Sequence, residues 1–369
     1  MKPKLTFLFQ LLIAGLAILV ALLLTVWFFM RIQTANTTLA GDWIVIRPGV
    51  DHWNLSYGLD SRLQITPWSA VLLLPLGPIP VNAGWGVVAF VTLAVLSLSV
   101  PREEISERKW IAGVLMLTLS FLAVRTIADG NVEFLTLCGL LFLEWGLLGK
   151  NPVLFALGIL LTVTKVQEAW ILVLGLPFLA GREWNSRRWL ITVGVLALVV
   201  VPSLLWKGRD WLLLIVSIPE RANIMNSSLL TTAERLGGSV GLAFLFWAVL
   251  FLLTAFITVK FCRGYSREAV AFLLSASLLL APYAAGNNVL VVYAIGAVPL
   301  LLARRWEGAV LVGLINLPYF FVPFHDLMYW WSAPYWTLVL LISWVFLALR
   351  MRAARRIMDG GTRPSLAYR

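Results

Sequence analysis

Long apolar runs recur along the whole sequence, and they constrain the fold more than any other feature. The first run, Leu5–Met30, is almost unbroken, and 60% of the chain is hydrophobic while only 13% is charged. With a mean hydropathy of +0.89, the chain lies outside the range of soluble globular proteins. Runs this continuous favour helices over barrel strands, because a spanning segment must satisfy its own backbone. We therefore predict an all-α, polytopic transmembrane helical bundle that forms one membrane domain over residues 1–369.

The apolar runs predict about twelve spans. The first is expected to be retained, because its apolar core is too long for a signal peptide and no small-residue cleavage site precedes the next loop. Residues 31–82 and 207–237 are longer and more polar than the other connections, and we expect both to be external loops with short interfacial helices. The predicted spans are Leu5–Met30, Ala83–Val100, Trp110–Ala128, Val132–Leu148, Pro152–Thr164, Gln167–Ala180, Trp189–Trp206, Val240–Lys260, Glu268–Pro282, Val289–Ala303, Ala309–Phe321 and Tyr335–Leu349.

The positive charge has a distribution that fits a membrane protein. The formal net charge is +11, but Lys and Arg gather in short connections on alternate sides of successive spans, as the positive-inside rule requires. We therefore expect contact with anionic membrane lipids and no nucleic-acid partner. Both termini are predicted to be cytoplasmic, in an integral protein of a prokaryotic plasma membrane. No Cys/His spacing indicates a metal site, and no motif indicates a cofactor.

Asp42 is the most distinctive polar residue, since it opens a polar loop about ten residues after the first span. A carboxylate just outside the bilayer can act as a general base on a hydroxyl of a substrate presented at the membrane surface. The alternative is that Asp42 caps a short helix or pairs with Arg47.

Lys165 lies between two apolar helices that are too short to cross a hydrocarbon core of about 30 Å. An ionisable residue at membrane depth is a candidate for function, here as a ligand for a lipid phosphate. The alternative pairs Lys165 with Glu168, three residues further along the same helix face. Arg125 and Asp129 are likewise one helical turn apart, and Arg125 is a further candidate phosphate ligand or a structural ion-pair partner.

The second long loop supplies three more candidates. Arg221 and Arg235 flank Asn226, and arginines there can clamp a phosphate with their planar guanidinium groups. The alternative is that they contact lipid headgroups. Asn287 and Asn288 follow in a tight turn, and turn formation alone accounts for them.

Several short motifs then occur in a fixed order along the chain. Together they resemble glycosyltransferase family 87, within the polytopic C-type glycosyltransferases, and the resemblance covers most of residues 5–305. Its motifs are Asp42-Trp43, Thr66-Pro67-Trp68 before an apolar run that ends in Pro75-Leu76, Gly130-Asn131-Val132-Glu133, Lys165, Met225-Asn226-Ser227-Ser228-Leu229 and Leu280-Ala281-Pro282-Tyr283.

The resemblance implies a GT-C-like fold and an active site on the external face. It implies an inverting transfer of a mannose-like sugar from a polyprenyl-phosphate donor to a glycan, lipid or protein acceptor. Asp42 would be the base, and Lys165, Arg221 or Arg235 would stabilise the leaving phosphate. Neither a metal nor a nucleotide is expected. Two alternatives stay open: a lipid or solute transporter, and an inactive scaffold with the same fold.

Overall fold

The computed structural model describes residues 2–32, 39–57, 63–102, 105–217 and 227–359. Side chains are described in these ranges except at positions 2–11, 52, 322–330 and 357–359. Throughout this part of the chain the regular structure is helical and no strand is present, which confirms the all-α prediction.

Seventeen α-helices are described in these ranges, and the elements between them are four 3-10 turns and one π turn. The 3-10 turns are Arg47–Trp53, Val71–Leu76, Gly286–Asn288 and Leu317–Phe324, and the π turn is Tyr293–Ala297. The α-helices are α1 (Lys2–Met30), α2 (Gly41–Ile46), α3 (Pro67–Ala70), α4 (Val81–Ser99), α5 (Glu107–Thr118), α6 (Phe121–Asp129), α7 (Glu133–Leu148), α8 (Pro152–Thr162), α9 (Val166–Ala180), α10 (Ser186–Ser217), α11 (Leu229–Arg235), α12 (Val240–Phe261), α13 (Arg267–Leu279), α14 (Val289–Val292), α15 (Val298–Leu302), α16 (Trp306–Asn316) and α17 (His325–Asp359).

Five of the described helices are long and apolar enough to cross a membrane. They contain the segments Leu12–Met30, Val81–Ser99, Ser186–Ser217, Val240–Phe261 and Trp331–Arg356. The pair α5 and α6 makes a sixth candidate if it is one span bent by 51°. The prediction of about twelve spans also counted shorter apolar helices, which the structure contains, but length and composition support only five or six crossings.

Small residues let α7 and α8 pack as a close antiparallel pair. A side chain at Gly139, Gly146 or Gly158 would overlap the backbone of the partner helix, so only glycine permits this approach. The pair matters for the site because it brings the end of α8 back to the start of α7. The turn that follows α8 contains Lys165, and Glu133 is the first residue of α7.

The described part of the first long loop is folded onto the bundle and has its own apolar core. Trp43, Leu55 and Leu63 from the loop are fully buried there, together with Trp85 of α4. The predicted short helices are present as α2, α3 and two 3-10 turns.

The second long loop begins later than the sequence indicated. Residues 207–217 do not form a separate helix, because α10 continues without a break through Trp206 to Ser217. Trp211 and Leu214 of this extension are buried against the core of the first loop. This packing gives the extension a tertiary partner and explains why the helix persists beyond its apolar run.

Candidate functional site

Asp42 is held in place by contacts of the residues just before and just after it in the chain. On one side, the Ala40 amide donates to the carbonyl of Ala128 at 2.7 Å, which ties the start of α2 to the end of α6. On the other side, Trp43 is fully buried and its indole N–H donates to the Val81 carbonyl at 3.0 Å. The Asp42 carboxylate is therefore positioned by a rigid backbone even though it belongs to a loop.

Glycines make the space that Trp43 occupies. Gly130 ends α6 with φ of +67°, and a Cβ there would lie 2.6 Å from the Trp43 Cβ. A Cβ at Gly84 would lie 2.7 Å from the indole ring. Gly130 thus combines a left-handed helix cap with a close approach, and neither is available to a larger residue without strain.

A cavity of about 210 Å³ opens beside Asp42. Its walls come from α2, the end of α6, the turn before α9, the turn around Gly286 and one face of α17. The polar side chains that line it are Asp42, Gln64, Arg125, Asp129, Asn131, Lys165, Tyr283, Asn287, Asn288 and Ser332, with Trp336 among the apolar ones.

Asn131 connects the carboxylate at the cavity wall to the lysine beneath it. Its amide nitrogen donates to Asp42 Oδ2 at 2.6 Å, and its amide oxygen accepts from Lys165 Nζ at 3.2 Å. Asp42 Oδ1 has no hydrogen-bond partner among the described residues. One oxygen of Asp42 is therefore fixed and the other is available to a ligand in the cavity.

Lys165 is the only cation within ion-pair distance of two buried glutamates in the described chain. Its ammonium donates to Glu133 and lies 3.3 Å from Glu168 Oε1, and both glutamate side chains have zero exposure. Asn288 donates to both carboxylates, and Thr136 donates to Glu168 at 2.9 Å. These contacts compensate the cost of burying three charges, which would be large for any of them alone.

The Thr-Pro-Trp-Ser sequence at positions 66–69 fixes the turn that precedes Lys165. The Thr66 amide donates to the Thr164 carbonyl at 2.8 Å, and the Thr164 hydroxyl donates to Ser69 at 3.0 Å. The Trp68 indole donates to the carbonyl of Leu160 at 2.9 Å. The motif therefore acts as a support for the lysine turn, although it contributes no side chain to the cavity.

A second polar pair lies at the rim of the cavity. Arg125 Nε lies 3.4 Å from Asp129 Oδ2, which also accepts from the Asn287 amide at 3.1 Å. Both members of the ion pair are about 30% exposed, at 31% and 29%. The Asn287 Oδ1 atom is buried without a hydrogen-bond partner in the described chain, and a ligand hydroxyl is the natural donor for such an atom.

Burial raises the pKa of the Asp42 carboxyl above its ordinary value. The Asp129 and Glu133 carboxylates raise it as well, while Lys165 and the hydrogen bond from Asn131 lower it. A carboxyl whose pKa is raised is a stronger base when it is ionised, so this environment suits proton abstraction.

The structure brings together some of the predicted site residues. Asp42, Lys165 and Arg125 line one cavity. Arg235 ends α11 and is not among the residues that line it. Arg221 and Asn226 lie outside the described residues.

The predicted local pairings have mixed outcomes. Arg47 does not pair with Asp42, because its guanidinium donates to the Ile79 carbonyl at 3.3 Å. Lys165 does pair with Glu168, as the helical spacing suggested, and it pairs with Glu133 in addition. Arg125 and Asp129 form the expected pair.

Asn287 and Asn288 line the cavity, although the sequence predicts only a turn for them. They do form a 3-10 turn, but Asn288 also contacts both buried glutamates. The sequence feature that could have indicated this role is a pair of adjacent asparagines beside an apolar helix. In the described chain, no three His, Cys, Asp or Glu side chains are arranged to hold a metal ion.

Comparison with known proteins adds one finding to this geometry. A model of glycosyltransferase family 87 matches residues 66–284, which is more than half of the 369-residue chain. The matched range includes Lys165 and both of its glutamate partners, whereas Asp42 precedes it and Asn287 follows it. Searches of curated proteins and of solved structures find no match.

Proposed function

The chain belongs to glycosyltransferase family 87, as its ordered motifs predict, and on this premise we propose that the Asp42 cavity is the active site of a membrane glycosyltransferase. The observation that carries the proposal is the Asp42 carboxylate itself. Asp42 lines the cavity, Asn131 donates to one of its oxygens, and the other oxygen has no hydrogen-bond partner among the described residues.

In the proposed reaction Asp42 is the general base. It takes the proton of an acceptor hydroxyl as the oxygen attacks the anomeric carbon of the donor sugar. The bond between that carbon and the phosphate oxygen breaks, and the polyprenyl phosphate leaves with the electron pair. Attack from the face opposite the leaving group inverts the anomeric configuration. The raised pKa of Asp42 supports this role.

The donor in this proposal is a polyprenyl-phosphate sugar with a mannose-like ring. Arg125 is the cation that we assign to the leaving phosphate, because it lines the cavity and its side chain is partly exposed. The charge of Lys165 is already neutralised by two carboxylates. Its main contribution would therefore be to the electrostatic field at Asp42. We keep Arg221, Arg235 and Asn226 as proposed contacts from the second loop. Asn287 would accept a hydrogen bond from a sugar hydroxyl.

We further propose a GT-C architecture in which shorter helices complete about twelve crossings. The Asp42 end of the bundle would face outward and both termini would face the cytoplasm of a prokaryotic cell. The positive-inside rule supports this orientation. Arg267 pairs with Glu144 at 2.7 Å, so the basic residues Lys260, Arg263 and Arg267, where α12 is followed by α13, lie towards the end of α7 opposite Glu133. The acceptor would be a glycan, a lipid or a protein reached from the external side.

Sugar transfer by the purified protein tests the proposal. The full chain in detergent receives radiolabelled polyprenyl-phosphate mannose or polyprenyl-phosphate glucose, with a nucleotide sugar as the comparison donor. Transfer from a polyprenyl-phosphate sugar, and not from the nucleotide sugar, supports the proposal. Transfer only from the nucleotide sugar contradicts the proposed donor.

Absence of transfer from every donor would favour a transporter or an inactive scaffold. Flux of the labelled lipid in proteoliposomes would then distinguish these two functions. The Asp210→Asn variant is the matched control for preparation quality, because Asp210 is exposed on α10 and does not line the cavity.

A further inference from the structure

A groove between α12 and α17 combines an apolar wall with a cluster of cations. Its volume is about 750 Å³, and Phe256, Trp344 and Leu349 are among its apolar residues. It lies far from the Asp42 cavity, because Arg352 is about 24 Å further along α17 than Trp336 at a rise of about 1.5 Å per residue. The basic residues that line it are Lys260, Arg263, Arg352, Arg355 and Arg356.

Contacts between the two helices fix the apolar wall next to the cations. The Trp344 indole donates to the Thr254 hydroxyl at 3.0 Å, which joins α17 to α12. The Lys260 ammonium lies 5.0 Å from the Phe256 ring centroid and 5.6 Å from that of Phe261. These cation–π contacts hold the ammonium at the aromatic wall.

The charge of three of the groove cations is not compensated by an ion pair within the described part of the protein. No carboxylate lines the groove in the described chain, and Lys260, Arg263 and Arg352 form no ion pair with any described residue. Other basic residues do find partners, since Arg267 binds Glu144 at 2.7 Å and Lys150 binds Glu183 at 2.8 Å. A group of like charges at one place attracts an anion from outside the chain.

We propose that this groove binds an anionic phospholipid. The phosphate headgroup would lie among the cations, and an acyl chain would lie along the apolar wall. A lipid fits better than a free phosphate because both helices belong to candidate membrane spans. In addition, Phe256 is 56% and Leu349 is 53% exposed, so the wall has apolar surface to cover. The proposal does not depend on the function of the Asp42 cavity.

Native mass spectrometry of the full chain in detergent tests the proposal. The protein is titrated with phosphatidylglycerol and, separately, with phosphatidylcholine that has the same acyl chains. The groove variant is Lys260→Gln/Arg263→Gln/Arg352→Gln. Its matched control is Arg102→Gln/Arg108→Gln/Lys109→Gln, which removes the same charge from the connection after α4 and the first turn of α5.

We expect the wild-type protein and the control to retain phosphatidylglycerol in preference to phosphatidylcholine. The groove variant should bind phosphatidylglycerol on the order of 100-fold more weakly, since each of three cations contributes to headgroup attraction. Equal losses in the control and the groove variant would overturn the proposal. So would equal binding of the two lipids by the wild-type protein, or displacement of the lipid by inorganic phosphate.

A second variant covers the case in which the triple substitution prevents folding. Ala348→Trp keeps every cation and fills the apolar part of the groove. It should weaken binding of long-chain phosphatidylglycerol by at least about tenfold, because the acyl chain loses its contact surface. Unchanged binding in this variant would contradict a lipid that occupies the groove.

Discussion

Replacing Lys165 with methionine tests how strongly one ammonium supports the centre of the candidate site. Methionine has a similar length, so the substitution removes charge with little change in packed volume. It leaves two carboxylates of zero exposure without their cation. Breaking a buried ion pair costs about 3–5 kcal/mol, so we expect the free energy of unfolding to fall by about 3–5 kcal/mol.

The surface pair of Lys150 and Glu183 supplies the matched control. Their side chains are 50% and 74% exposed and 2.8 Å apart, and exposed pairs contribute about 0–1 kcal/mol. Lys150→Met should therefore change stability little. At about 2–4 °C per kcal/mol for large domains, Lys165→Met should lower Tm on the order of 10 °C. Intrinsic fluorescence measures this, since the chain has 18 tryptophans.

The companion variants decide whether the lost charge is the cause. Adding Glu133→Gln and Glu168→Gln to Lys165→Met removes both uncompensated carboxylates, so most of the lost stability should return. Equal Tm values for Lys165→Met and Lys150→Met would refute the reasoning. A triple variant no more stable than Lys165→Met would refute it as well.

Three further substitutions or conditions have definite expected outcomes. Gly130→Ala should lower the rate of sugar transfer at least about tenfold, because the new methyl group would lie 2.6 Å from the Trp43 Cβ and displace Trp43. The control Gly194→Ala should leave kcat unchanged, because there is open space around Gly194. The pKa of Asp42 is raised and the base must be ionised, so kcat/KM should begin to fall at a pH well above 3.8, the ordinary pKa of an aspartate. A pH profile of kcat/KM that stays flat down to pH 3.8 would contradict this. Asn287→Leu should raise the donor KM about tenfold with a smaller effect on kcat, and an unchanged KM would exclude Asn287 as a substrate contact.

The sequence predicted the helical class, most helix positions and three of the residues that line the cavity. Asp42, Lys165 and Arg125 are conspicuous because they are ionisable residues next to long apolar runs. Helix periodicity also predicted the pairs of Lys165 with Glu168 and of Arg125 with Asp129, since such contacts are local.

The contacts that make the site could not be read from local patterns. Asn131 joins Asp42 to Lys165, and Asn288 joins Glu133 to Glu168 across the bundle. These contacts depend on how α2, α7, α9 and the Gly286 turn converge. The extension of α10 was missed for a similar reason, because its stability comes from tertiary packing of buried side chains rather than from helix propensity.

A comparison of donor binding and turnover in Asp42→Asn tests the central claim most directly. Asparagine keeps the shape of the side chain and cannot take the acceptor proton. We expect the Kd for the polyprenyl-phosphate sugar to stay within a few-fold of the wild-type value, while kcat falls by about 10²–10⁴. The Asp210→Asn control should match the wild type in both quantities. Turnover by Asp42→Asn at the wild-type rate would contradict the assignment of Asp42 as the base.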